Sequence, residues 1–296
     1  MKVGFVGLGI MGRPMALNLV KAGFQVMVSD LDPEAVRVLV RAGAEAGSYA
    51  ELGAQCGVVI TILPTSDIVR EVLFGEQGVA SAMPAGRLVV DMSSVTPTQS
   101  RECFAMLRER GIGFLDAPVS GGEPGAIAGT LAIMVGGEQA DFETARPYFD
   151  AMGSSALLIG GSGSGSVTKL ANQIIVNNNI AVLCEALVLA AKAGVDPEKV
   201  YQAIRGGLAG SAVMEAKAPM ILDRNFKPGG TIRVNHKDLK NVVNTAHELD
   251  VPVPYSAQLF EIMQTMKIHG HLEEDHCGLV QYFEALADVE VKRKNS

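Results

Sequence analysis

Through the first half of the chain, short apolar runs alternate with amphipathic segments. Residues 2–7 (KVGFVG) predict a strand, residues 13–23 a helix closed by Gly23, and residues 24–30 (FQVMVSD) a second strand ending at Asp30. Further apolar runs at 58–64, 87–94, 112–122, 131–138 and 156–161 predict more strands, with a helix at about 139–152 between the last two. Strands spaced by helices predict an α/β, Rossmann-type doubly wound sheet over residues 1–162. The pattern then changes. From Ser166 no Pro or Gly occurs until Gly194, so residues 163–193 predict one interdomain helix of about 40 Å, apolar enough to be buried on nearly all sides. Residues 194–296 contain helical periodicity alone, at 197–205, 211–222, 237–249, 254–268 and 278–291, and predict an all-α domain for substrate binding and oligomerisation. Residues 224–239 read as a polar loop, and Lys292 to Ser296 as a frayed tail.

Three glycines follow the first strand at the G-x-G-x-x-G spacing: Gly7, Gly9 and Gly12. The first permits a tight turn, the second lets a pyrophosphate approach the backbone, and the third lets helix pack on strand. Asp30 lies 18 positions beyond Gly12, at the end of the second strand, where a carboxylate accepts from the ribose hydroxyls of NAD and repels the 2′-phosphate of NADP. The alternative for Asp30 is a turn or helix cap before Pro33. In a parallel sheet, ligands bind beyond the carboxyl ends of the strands. Leu63-Pro64-Thr65, Ser93 to Thr96 and Ser120-Gly121-Gly122 occupy such ends. The Ser120 turn exposes backbone N–H groups suited to a substrate carboxylate, or is simply a flexible turn.

Composition excludes several classes. A net charge of −7 argues against nucleic acid or an anionic membrane as partner. No signal peptide is expected from the first residues, and the most apolar segment is interrupted by Asn177, Asn178, Asn179 and Glu185, so a cytoplasmic protein is expected. The four cysteines are scattered and read as reduced thiols, and no metal site is expected. His269, His271, His276 and Cys277 belong to what reads as a polar inter-helix loop.

A nicotinamide enzyme needs a group that exchanges a proton with the substrate oxygen. No histidine lies in the first half of the chain and no Tyr-x-x-x-Lys pair occurs. Lys169, at the start of an apolar helix, is the best-placed acid, since desolvation there would lower its pKa. Asn172, Gln173 and Asn177 share its face at i+3, i+4 and i+8. A lysine reaching solvent from a helix end is the alternative.

The blocks VGFVGLGIMGRPMALNLVKAG (3–23), DAPVSGGEPGAIAGTLAIMVGG (116–137), GSVTKLANQIIV (165–176) and HKDL (236–239) resemble the β-hydroxyacid dehydrogenase family over essentially the whole chain. AIRGGLAGS (203–211) and AKAPMILDRNFKPG (216–229) resemble the branch that reduces tartronate semialdehyde rather than the 3-hydroxyisobutyrate branch. The resemblance implies that Lys169 is the general acid and that Ser120, Gly121, Gly122, Asn172 and Gln173 bind substrate. Many relatives carry Asn where Gln173 stands. It implies further that Gly7, Gly9, Ile10, Met11, Gly12, Asp30, Leu63, Pro64, Thr96, Lys237 and Asp238 serve the cofactor, NAD in preference to NADP. A homodimer or homotetramer is implied as well. Reduction of other short semialdehydes, or a non-catalytic NAD-binding module, are the alternatives.

Overall fold

A computed structural model describes residues 2–293, so Met1 and the tail residues Lys294, Asn295 and Ser296 lie outside the described residues. The chain forms two compact units, residues 1–169 and 170–296. In the first, β1 (Val3–Val6), α1 (Gly12–Lys21), β2 (Val26–Ser29), α2 (Pro33–Arg41), β3 (Glu45–Ala46), α3 (Tyr49–Gln55) and β4 (Val58–Thr61) follow one another. Then come α4 (Ser66–Phe74), α5 (Val79–Ala82), β5 (Leu88–Asp91), α6 (Pro97–Arg108), β6 (Gly113–Asp116), β7 (Val119–Ser120) and α7 (Gly122–Ala128). β8 (Leu131–Gly136), α8 (Gln139–Met152) and β9 (Gly153–Gly160) complete the sheet.

The strand order is β3-β2-β1-β4-β5-β6-β8-β7, with β9 on β8. All pairs from β3 to β6 are parallel, as the doubly wound fold requires. β1, β4 and β5 are fully buried, and side chains alternate between a core under α1 and α8 and another under α3, α4 and α6. The sheet is not parallel throughout. The run 112–122 is two strands rather than one, broken at Ala117-Pro118, and both pair antiparallel with β8. Pro118 has no N–H to continue the ladder, while its carbonyl accepts from Met134 N at 3.0 Å.

The long helix α9 (Ser164–Lys192) begins in the first unit and continues into the second. There it is followed by α10 (Pro197–Ile204), α11 (Ala212–Leu222), α12 (Ile232–Glu248), α13 (Pro254–Ile268), two 3₁₀ turns (His271–Glu273 and His276–Leu279) and α14 (Val280–Ala287). Ile180, Leu183, Cys184, Leu187 and Val188 of α9 are buried in this helical core. The expectation of burial on nearly all sides is corrected: Ile175, Val182 and Leu189 are 63%, 56% and 72% exposed, because their spacing of seven puts them on one outward stripe.

Three other expectations are corrected. Residues 224–239 are a loop only as far as Thr231, whose hydroxyl accepts from Val234 N and starts α12 five residues early. The last helix ends at Ala287, because Asp288 adopts the left-handed conformation. Arg293 is not frayed: it pairs with Glu198 and Asp223, and its N–H donates to Leu222 O.

Residues 272–275 are also less solvated than their polarity implies. Asp275 is fully buried and accepts from Lys217 Nζ (2.9 Å), Gly229 N (2.9 Å), Gly230 N (3.2 Å) and Cys277 N (3.0 Å), fixing the loop before α12. Beside it, burial pushes the His276 imidazole down to about 4, and the Lys217 charge pushes it the same way. Its Nδ1 has no hydrogen-bond partner. A histidine held neutral in the fold stabilises it fully above the ordinary pKa of about 6.5, and this contribution is lost as pH falls toward 4. Between pH 7 and pH 4.5 the wild type should therefore lose about 2 kcal/mol more unfolding free energy than His276→Gln. Denaturant titrations at the two pH values measure this, and equal losses would contradict the assignment.

Candidate functional site

Among the sequence-derived site residues, the first unit carries those of the glycine turn, Asp30, Leu63, Pro64, Thr96, the Ser120 turn and Lys169. Gly7 has φ +96°, and a Cβ there would stand 2.2 Å from Ile62 O. A Cβ on Gly12 would stand 1.8 Å from Gly7 O. These two glycines are therefore demanded by the protein's own backbone. Gly9 is different, since a Cβ there meets nothing within 4 Å. Space that the chain leaves open at the middle glycine fits a pyrophosphate approaching the backbone. α1 follows with no side-chain cap and no acidic residue in its first turn, which leaves its N–H groups for an anion. Ile10 is 46% exposed and Met11 half-buried at this turn.

Asp30 is a clasp. Its Oδ2 accepts from Leu8 N at 2.5 Å and its Oδ1 from Asp32 N at 2.7 Å, tying the end of β2 to the glycine turn. The cap of α2 is Asp32, not Asp30. Each Asp30 oxygen keeps a further lone pair for a hydroxyl donor. A second clasp holds the ends of β4 and β5. Leu63 N donates to Ser93 Oγ (2.8 Å), which donates to Asp91 Oδ1 (2.5 Å), and Thr61 Oγ1 donates to the same oxygen (2.8 Å). Asp91, Ser93 and Thr61 are almost fully buried. Pro64 is exposed beside this clasp, and Thr96 caps α6 by accepting from Gln99 N.

At Ser120 the chain turns through Gly121 (φ +139°) and Gly122 (φ +59°), conformations that other residues adopt only with strain. Ser120 is half-buried and both glycines are exposed. Four residues before Ser120, Asp116 ends β6, 1% exposed, accepting from Gly163 N (2.7 Å) and Ser166 N (2.8 Å) at the start of α9. Burial pushes this carboxyl up to about 6, against the opposing effect of those N–H bonds. Lys169 is half-buried, three residues after Ser166.

The second unit carries Asn172, Gln173, Lys237 and Asp238, and brings all four into one chain of contacts. Asn172 Nδ2 donates to Gln173 Oε1 (3.0 Å), Gln173 Nε2 donates to Asp238 Oδ2 (2.6 Å), and Lys237 Nζ lies 3.0 Å from Asp238 Oδ1. Gln173 and Asp238 are buried, and Asn177 Nδ2 donates to the Gln173 carbonyl.

Residues 2–161 match the NAD-binding domain of 6-phosphogluconate dehydrogenase, and residues 163–283 match the NAD-binding domain of NADP-dependent 3-hydroxyisobutyrate dehydrogenase. A 2-hydroxy-3-oxopropionate reductase of Escherichia coli (strain K12) is 41% identical over 97% of this chain and 99% of its own. This chain belongs to the β-hydroxyacid dehydrogenase family. A 2-(hydroxymethyl)glutarate dehydrogenase of Eubacterium barkeri is 38% identical over 98% of this chain and 97% of its own. The crystal structure of a 3-hydroxyisobutyrate dehydrogenase from Salmonella typhimurium superposes with a TM-score of 0.87 at 30% identity, covering 95% of this chain and 99% of the other.

As a β-hydroxyacid dehydrogenase, the chain is an NAD(P)-dependent oxidoreductase acting on a small molecule. Its glycine turn fits that cofactor on steric grounds alone. Two aspartates in the supporting structure, Asp91 and Asp116, were not expected from the sequence as site residues. Each ends an otherwise apolar strand, and an acidic residue there was the available signal. The steric difference between the glycines gives a sharp test. Gly9→Ala should leave unfolding free energy within about 0.5 kcal/mol of wild type and weaken NADH binding at least about tenfold. Gly12→Ala should destabilise the protein by about 2 kcal/mol or more. Calorimetric titration and thermal unfolding of both variants check this, and unchanged NADH affinity in Gly9→Ala would overturn the placement of the pyrophosphate.

Proposed function

We propose that this β-hydroxyacid dehydrogenase reduces tartronate semialdehyde (2-hydroxy-3-oxopropanoate) to D-glycerate with NADH. Bound NADH supplies the hydride. Lys169, as an ammonium, gives its proton to the substrate carbonyl oxygen and recovers one from solvent. The N–H groups of Ser120, Gly121 and Gly122 hold the substrate carboxylate, and Asn172 and Gln173 hydrogen-bond the remaining oxygens. Gly7, Gly9, Ile10, Met11 and Gly12 receive the pyrophosphate, with Leu63, Pro64, Thr96, Lys237 and Asp238 as further cofactor contacts. Asp30 selects NADH, because a carboxylate clasping the glycine turn repels a 2′-phosphate.

In this reading residues 1–162 are the dinucleotide domain, 163–193 the joining helix, and 194–296 the helical substrate and oligomerisation domain. The protein is cytoplasmic and works as a homodimer or homotetramer. The exposed stripe of Ile175, Val182 and Leu189 supports association, since an apolar helix face of this kind is stabilised by cover.

The observation that carries the substrate assignment is the 41% identity, over almost the full length of both chains, to a 2-hydroxy-3-oxopropionate reductase. Relatives of similar coverage act on other substrates by name, so the test is a panel. With NADH, kcat/KM for tartronate semialdehyde should exceed that for methylmalonate semialdehyde and succinic semialdehyde by at least about tenfold, or roughly 1.4 kcal/mol. NADPH should be the poorer reductant. A higher value for either rival aldehyde would move the enzyme to another branch, and NADH binding without turnover of any aldehyde would make it a non-catalytic module.

A further inference from the structure

We propose that Asp116 is the positioning residue for Lys169, fixing where the acid-bearing turn of α9 begins. The proposal rests on the reading of Lys169 as general acid. Burying a carboxylate is costly unless its lone pairs are filled, and here one oxygen takes the N–H of Gly163, just before α9, and the other that of Ser166 in its first turn. The helix dipole favours a negative charge at this end. Two glycines pack closely against it. A Cβ on Gly136 would stand 2.6 Å from Asp116 Oδ1, and one on Gly165 would stand 2.4 Å from both Asp116 O and Met134 O. Ser166 Oγ also lies 2.9 Å from Ser100 Oγ of α6, and both residues are buried.

Lys169 follows Ser166 at i+3, so its backbone sits on the same helix face, about 4.5 Å farther along the axis. An ammonium one turn from a fixed cap inherits the position of that cap. The same aspartate ends the strand that leads to Ser120. Ala117 N donates to Asp91 O (2.7 Å) and Met134 N donates to Pro118 O (3.0 Å), so the path from Asp116 to the Ser120 turn is held rigid. These backbone bonds hold the Ser120 turn without the Asp116 side chain, whose own bonds go to the start of α9 alone. Displacement of a catalytic group by about 1 Å costs on the order of a hundredfold in rate. Asp116→Asn keeps one acceptor oxygen and turns an NH₂ group toward the other N–H, which shifts the turn.

The test is a double-mutant cycle on the full-length enzyme with NADH and its best aldehyde substrate. Asp116→Asn should lower kcat about tenfold or more, with the NADH dissociation constant within about twofold of wild type. In a Lys169→Ala background the same substitution should change kcat less than about twofold, because the acid it positions is gone. An equal fold loss in both backgrounds, or a wild-type kcat in Asp116→Asn, would overturn the proposal. If Lys169→Ala itself retained kcat, the reading of Lys169 would fail; an inactive Lys169→Ala beside a fully active Asp116→Asn sinks the positioning role alone. Ser100→Ala supports the same turn from α6 with a smaller perturbation and serves if Asp116→Asn does not fold. It should lower kcat about threefold in the wild type and not in Lys169→Ala, and equal losses would again contradict the proposal.

Discussion

A buried carboxylate at the mouth of a long helix organises the first unit. Asp116 is nearly inaccessible, and burial raises its pKa to about 6 even though two N–H groups hold the ion. The fold therefore pays for a charge that a neutral residue would avoid. In return the start of a 29-residue helix is tied to the end of one strand, and the residues that follow on that helix have a defined phase. Position along a helix is rigid once its first turn is fixed.

The same device recurs along the carboxyl edge of the sheet. Asp30 after β2, Asp91 at the end of β5 and Asp116 at the end of β6 each accept hydrogen bonds from backbone or hydroxyl donors of a neighbouring segment. Three loops that would otherwise be free are thereby held by charge-assisted bonds. The glycine turn is held in addition by sterics, since two of its three glycines have no room for a side chain. Only the middle glycine faces open space, and it does so where the dinucleotide fingerprint requires close approach.

Much of the fold was legible in the sequence, because its decisive signals were local, whereas the Asp91 and Asp116 clasps were not. Short apolar runs gave the main strands and helical periodicity the all-α second half, and glycine spacing gave the turn between β1 and α1. The long helix was marked by the absence of Pro and Gly between Ser166 and Gly194. What could not be read depended on contacts distant along the chain. Asp275 looks like a solvated loop residue until Lys217, Gly229 and Gly230 are brought to it. Arg293 looks like part of a loose tail until Glu198 and Asp223 receive it. The start of α12 was obscured by its polar residues, although Ile232, Asn235, Leu239 and Val242 are buried along one face. The outward stripe of α9 was hidden by overall apolarity, which reports how hydrophobic a helix is but not which side is covered.

The central claim is that Lys169, held in place from the first turn of its helix, is the proton donor in a nicotinamide-dependent reduction. The most direct measurement is kcat of Lys169→Ala together with its NADH dissociation constant. Loss of a general acid should lower kcat by about 10²–10⁴-fold and leave NADH affinity within about twofold of wild type. A variant that keeps more than about a tenth of the wild-type kcat would contradict the account.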